Sequence, residues 1–197
     1  DELREAGPPP EQVEAALELP DELRRTVEGV AMSVVGDAQT DYDRAVQLQD
    51  WLRDPQLFQY DERAPDGAGS SAVEDFLTRR SGFCVHFAST MAVMARALDI
   101  PARVAVGFTA GEPIGQGRWR VTTHDAHAWP ELYFEGVGWV PFEPTPAART
   151  GTAPDYTQPP TDLSALDAPD AEPTLAPAAP RGEQDPGAAP TMGSEAG

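Results

Sequence analysis

Three side-chain types that together can break and remake an amide bond occur between residues 84 and 143 of this chain: a thiol, an imidazole and a carboxylate. The only cysteine, Cys84, lies in "SGFCVHFAST" (81–90), directly ahead of an apolar run that reads as a helix. A thiol at a helix start meets backbone N–H groups without intrahelical partners and the positive end of the helix dipole. Both favour the thiolate, which is the nucleophilic form, and the same N–H groups can hold the oxyanion of a tetrahedral intermediate. A buried, inert cysteine is the plainer use of such a position. What weighs against it is the company: a nucleophilic thiol needs an imidazole, and the imidazole needs a third group to orient it. His127 stands in "DAHAWPELYF" and Glu143 in "WVPFEPT".

Strand alternation puts His127, Trp129, Glu131 and Tyr133 on one face, with Ala128, Leu132 and Phe134 on the other. Likewise Trp139, Pro141 and Glu143 share a face, and Val140 and Phe142 point to the core. His127 and Glu143 lie symmetrically about Glu135, in the turn "EGVG". A hairpin folded about that centre brings imidazole and carboxylate together. A plain two-residue turn at Gly136-Val137 puts them on opposite faces, and a bulge at the glycines decides between the two.

The remaining candidates have smaller roles. Cys84, His86, His124 and His127 can be drawn as a zinc site, but positions two apart on a helix diverge by roughly 200°, and positions three apart on a strand face oppositely. His86 is therefore expected to pack or to support the site, and His124 to be an exposed strand-end residue. Trp129 and Trp139 are expected as cleft walls, with simple packing as the alternative. The Cys84 N–H is one oxyanion donor, and Tyr60 or Gln59 are candidates for the second. The acidic stretches "GDAQTDYDR" and "DERAPDG" do not match the ligand spacing of a calcium loop. Neither a metal nor a cofactor is expected.

The elements that must position these residues change period along the chain. "PPPEQVEAALELP" is a short helix, "PDELRRTVEGVAMSVVG" an amphipathic one closed by Gly36, and "TDYDRAVQLQDWLRDP" a third. Strand character surrounds Phe58 and Tyr60, and Ser71 with Glu74 is a capping-box pattern for "AVEDFLTRR". "CVHFASTMAVMARALDI" is the most apolar helix and stops before Pro101. After it come short β-rich runs, "ARVAVGFT", "RWRVTTH", "AHAWPELYF" and "WVPFEP". Helices first and strands afterwards describe an α+β domain, a buried helix against a mostly antiparallel sheet.

Composition narrows the function classes. The chain has 197 residues, a formal net charge of −19 and 14 cationic side chains, all arginine. So negative a surface repels phosphate backbones and excludes nucleic acid as a simple electrostatic partner, and it opposes docking on anionic lipid. No apolar run reaches the ~18 residues of a membrane span. From about Ala147 the sequence becomes Pro, Ala, Asp, Thr and Gly with few large apolar residues, too little to offset ordering entropy. The expected organisation is one domain over 1–147, its helical N-terminal part covering about 1–55, and a disordered linker or tail over 148–197.

"GFCVHFASTMAVMARALDIPARVAVGF" followed by "DAHAWPELYFEGVGWVPFEPTP" resembles the transglutaminase-like superfamily, in particular the branch carried by bacterial multi-pass membrane proteins. The likeness runs from about Phe58 to Pro146. It implies a papain-like core and a Cys-His-Asp triad, falling here on Cys84, His127 and Glu143, with Glu in place of the more usual Asp. It implies thiol-dependent acyl transfer on glutamine carboxamides or peptide amides, with an amine or water as acceptor. The alternatives are a cysteine peptidase or amidase of cell-envelope peptides and an inactive binding module. The resemblance also implies an extracytoplasmic domain of a longer membrane protein, joined to the membrane only through segments outside this chain. That setting would account for a chain that opens on "DELREAG".

Overall fold

Prolines, a threonine cap and glycine set the limits of the first helices. After a single 3-10 stretch, Glu11–Leu17, helix α1 (Asp21–Val35) follows Pro20 and ends at Gly36, whose φ of 49° stops it. Helix α2 (Asp41–Arg53) is capped by Thr40, whose hydroxyl accepts the Asp43 N–H at 3.1 Å, and places Asp41 and Asp43 in its first turn. Strand β1 is only Gln59–Tyr60, and helix α3 spans Ser71–Arg79. Strand β2, Ser81–Gly82, pairs in parallel with β1 and leads directly into helix α4, Cys84–Ala97. The structure is a computed structural model that describes residues 2–65, 71–150 and 152–158.

The burial of α4 follows from its sequence. Phe87, Ala88, Met91, Met94 and Ala95 are fully buried, and few polar side chains interrupt the run. Helices α1, α2 and α3 and the sheet all pack against it. Phe58 stacks on Phe76 with ring centroids 5.4 Å apart, and Phe87 meets Phe76 edge-on at 4.8 Å. Each such side chain removed from water contributes about 1.5–3 kcal/mol, so the aromatic cluster anchors α4, and with it Cys84, to the helical layer.

The sheet is antiparallel with strand order β3-β6-β7: β3 is Ala102–Phe108, β6 Ala126–Phe134 and β7 Gly138–Pro141. A small hairpin, β4 (Glu112–Gly115) with β5 (Arg118–Arg120), is inserted between β3 and β6. Its first strand has no counterpart in the sequence expectation, because "EPIG" lacks β-branched alternation. Ala128, Leu132 and Phe134 are buried and face the helices, as alternation requires.

The loop joining β6 and β7 resolves the question of register. Phe134 pairs with Gly138 and Tyr133 with Trp139, leaving a three-residue loop, 135–137, closed by the Val137 N–H on the Phe134 carbonyl at 3.0 Å. Gly136 and Gly138 take φ values of 82° and 97°, conformations that favour glycine. The fold centre is therefore Gly136, one residue beyond Glu135. Because three residues rather than two form the loop, odd positions still meet odd positions, and His127 and Glu143 remain on one face. The Phe142 N–H on the Pro130 carbonyl carries this register past the end of β7.

The folded unit extends beyond the boundary expected at 147. A helical turn covers Ala147–Thr150 and a 3-10 turn Asp155–Thr157. Thr157 is buried, Tyr156 packs edge-on against Phe142, and the Tyr42 hydroxyl donates to the Tyr156 carbonyl. Composition misplaces the boundary because a few anchored residues suffice to hold a segment of otherwise weak sequence. The rest of the expected tail, 159–197, lies outside the described residues. Among the described residues, no helix is long and apolar enough to cross a membrane.

Candidate active site

Cys84 is the first residue of α4 and packs with Ala88 of the next turn and Ala128 of β6. The start of the helix is braced by His86. Its Nδ1 accepts the Phe83 N–H at 3.3 Å, and its Nε2–H donates to the Pro65 carbonyl at 3.2 Å. This closes half of a capping box with an imidazole in the usual place of Glu. Gly82 makes it possible, since a Cβ there would lie 2.9 Å from His86 Cβ and Cγ. Both ring nitrogens of His86 are thereby occupied. Among the described residues, no three His, Cys, Asp or Glu side chains group as a metal site.

His127, 5 % exposed, enters β6 with its Nε2–H donating to Glu143 Oε2 at 2.6 Å. That bond leaves Nδ1 as the nitrogen available to the thiol, and among the described residues Nδ1 has no partner in hydrogen-bonding geometry. Thiol and imidazole are nevertheless near enough to move each other's pKa. Burial works against the Cys84 thiolate, but the interaction with His127 and the N–H groups of Ala128 and Val85 outweigh it, and the thiol falls below its ordinary value. Burial likewise opposes the His127 imidazolium, yet Cys84 and Glu143 together raise it from 6.5 to about 9. The arrangement therefore shifts both groups toward the thiolate–imidazolium pair. Alkylation of Cys84 is expected to accelerate through an inflection below 9.0, the ordinary value for the thiol. An inflection at or above that value would show that the imidazole does not activate it.

Glu143 is held at every polar atom. Besides His127, its Oε1 accepts the Thr145 N–H at 2.9 Å, its own N–H donates to Gln49 Oε1 at 3.0 Å, and its carbonyl accepts from Arg53 Nη1 at 2.8 Å. Arg53 Nη1 also reaches the Thr145 carbonyl at 2.7 Å. None of Gln49, Arg53 and Thr145 was expected from the sequence. The signal for the first two was present, because Ala45, Leu48 and Leu52 mark the buried side of α2 and Gln49 sits among them with Arg53 four residues on. Polar side chains on that stripe must find buried partners.

The other expected residues separate into two groups. Tyr60 lines an open cleft with Cys84, together with Glu62, Ala64, Phe83, Thr123, His124 and Ala126. His124, in a 3-10 turn rather than at a strand end, thus forms part of that wall. Trp129 stacks on His127 with centroids 6.1 Å apart and covers Gly107, where a Cβ would come 2.9 Å from the indole. By contrast Gln59 is the exposed neighbour of Tyr60 on β1 and does not belong to that lining. Trp139, expected as a cleft wall, lies at the loop end of the β6–β7 hairpin, edge-on to Tyr133 at 5.5 Å with Arg103 over its ring at 4.2 Å. Its strand partner is six residues from His127, about 20 Å along a strand.

A cysteine at the head of a buried helix, beside a histidine on an antiparallel sheet and an acid just past its last strand, defines a papain-like α+β architecture. The comparisons agree with it. The family model of the transglutaminase-like superfamily matches residues 28–144. The chain is 32% identical over 137 residues to the uncharacterized protein YebA of Bacillus subtilis, covering 66% of this chain and 18% of YebA. It is 45% identical over 83 residues to a protein-glutamine gamma-glutamyltransferase of Pseudomonas aeruginosa, covering 41% of this chain and 12% of that protein. The crystal structure of the periplasmic domain of TgpA from Pseudomonas aeruginosa superposes with a TM-score of 0.60 at 32% identity, covering 72% of this chain and 49% of that one. The chain thus spans about half of that domain and a smaller share of the curated relatives. It belongs to the transglutaminase-like superfamily.

Proposed function

We propose that this domain transfers the acyl group of a glutamine carboxamide to a primary amine through Cys84, His127 and Glu143. The observation that carries this reading is the 2.6 Å bond from His127 Nε2 to Glu143, which turns Nδ1 toward the thiol side. The Cys84 thiolate attacks the carboxamide carbon, and the Cys84 N–H at the helix start stabilises the oxyanion. Collapse of the intermediate breaks the C–N bond, and His127 gives its proton to the departing ammonia. The resulting thioester is attacked by the amine, whose proton returns to His127 as the new amide forms and the thiolate leaves. Tyr60, on the cleft wall, is the candidate for a second oxyanion donor. Water in place of the amine gives hydrolysis of the same thioester. The gamma-glutamyltransferase relative supports the choice of donor. The likeness to a periplasmic domain supports a place on the extracytoplasmic face of the plasma membrane, as part of a longer membrane protein.

The test is incubation with a glutamine-containing peptide and a fluorescent amine. Label is expected on the peptide, and the Cys84→Ala protein serves as the silent control. Because the chain has no lysine and the terminal amine is its only primary amine, the domain alone is expected to remain monomeric on denaturing gels and to take label only when amine is supplied. Ladders without added amine would contradict this chemistry. Release of ammonia without amine incorporation would identify a hydrolase.

A further inference from the structure

Glu143 lies just past the end of β7, where strand pairing no longer fixes the chain, yet its carboxylate must keep one orientation toward His127. We propose that Gln49 of α2, locked by Thr157 of the C-terminal segment, is the positioning residue that sets Glu143 against His127, so that residues 154–158 are a working part of the site. This rests on the triad reading above and extends it to residues that touch no substrate.

Gln49 is completely buried and uses both ends of its amide. Its Oε1 accepts the Glu143 N–H, and its Nε2 donates to Thr157 Oγ1 at 2.9 Å. An amide can present either end, and the acceptors on its Nε2, Thr157 Oγ1 at 2.9 Å and the longer contact to Asp50 Oδ1 at 3.5 Å, determine which one faces Glu143. The Thr157 hydroxyl in turn donates to the Pro154 carbonyl at 2.7 Å, which leaves its oxygen lone pairs for Gln49. The charged groups around this junction are Asp50, whose Oδ1 lies 3.5 Å from Gln49 Nε2, Arg53 on the Glu143 carbonyl, and His127 with Cys84 behind it. Arg53 Nη1 restrains the chain at the carbonyls of Glu143 and Thr145. The Glu143 N–H depends on Gln49. Losing either hydroxyl or amide strands a buried polar group, so the chain around Glu143 shifts to find another partner.

The experiment compares Thr157→Val, Thr157→Ser and Gln49→Met in the full chain. Turnover, thermal stability and the titration of the His127 ring by NMR are measured for each. Thr157→Val is expected to lower kcat about tenfold with KM within about twofold, consistent with loss of one buried hydrogen bond. It should also move His127 from about 9 toward 6.5. Thr157→Ser, which keeps the hydroxyl, should restore both. Gln49→Met is expected to act in the same direction and more strongly; should it not fold, the threonine pair carries the comparison. A His127 titration unchanged in Thr157→Val overturns the proposal, whatever happens to turnover or stability, and so does a serine variant as impaired as the valine. The titration does not depend on catalysis, so a wild-type domain without transferase activity would defeat the proposed function and leave this inference to be decided by the NMR arm.

Discussion

Glu143→Gln is expected to lower kcat by roughly 10³–10⁴-fold while leaving the protein folded. The substitution keeps the shape of the side chain and an oxygen for the Thr145 N–H, and the backbone of residue 143 keeps its partners Gln49 and Arg53. What it removes is the negative charge 2.6 Å from His127 Nε2. A neutral amide cannot stabilise the imidazolium that pairs with the thiolate, and its NH₂ end can hold the ring in the wrong tautomer. Glu143 is among the groups that raise His127 to about 9, after the interaction with Cys84. The alkaline limb of the kcat/KM profile should therefore move to lower pH in the variant, because the reactive pair needs His127 protonated. The thiol should lose part of its activation as well, and the alkylation inflection of Cys84 should rise. Turnover within a few-fold of the wild type, with an unmoved alkaline limb, would remove Glu143 from the mechanism.

What the sequence disclosed about this site depended on how local each constraint was. Cys84 was legible because Gly82, the helix start and the apolar run are adjacent in the chain. His127 and Trp129 followed from alternation along one strand. The His127–Glu143 contact required knowing the length of a turn, and "EGVG" admits either two or three loop residues. Only the observed pairing of Phe134 with Gly138 selects three. Trp139 illustrates the opposite limit: parity places it on the same face as His127, yet parity carries no information about distance along the strand, and the indole packs with Arg103 and Tyr133 instead. The contacts that hold Glu143 span 94 positions to Gln49 and 90 to Arg53, and no local pattern encodes such a meeting. The same holds for the C-terminal boundary, which is set by Thr157 reaching Gln49 across 108 positions. Composition over the surrounding residues cannot register a single buried hydroxyl.

The dependence of stability on pH gives a separate measure of the thiolate–imidazolium pair, one that needs no substrate. Raising the folded pKa of His127 contributes stability that is fully present below 6.5 and is lost as pH rises through about 9. Lowering the folded pKa of Cys84 has the opposite sense: its contribution is present above 9.0 and is lost as pH falls through the depressed folded value. In the wild type these two effects oppose each other. Once the thiol has ionised, and until His127 loses its proton near 9, the folded pair holds one proton. Between 6.5 and 9.0 the unfolded chain also holds one, on the thiol instead of the ring. Equal proton counts mean no slope, so this site should leave the stability curve flat across the upper part of that window. Cys84→Ala removes the thiol's proton from the unfolded side. His127 loses its interaction with Cys84 but keeps Glu143. To the extent that Glu143 holds the ring above 6.5, it carries a proton that the unfolded chain lacks, and stability falls with pH at up to about 1.4 kcal/mol per pH unit until the ring deprotonates. Chemical denaturation at a series of pH values from 6.5 to 9.0, wild type beside Cys84→Ala, reads the difference directly. Curves that fall in parallel would mean that Cys84 and His127 titrate independently, and that the thiol is buried and inert beside an imidazole it does not engage; two flat curves would mean that Cys84, not Glu143, is what raises the ring.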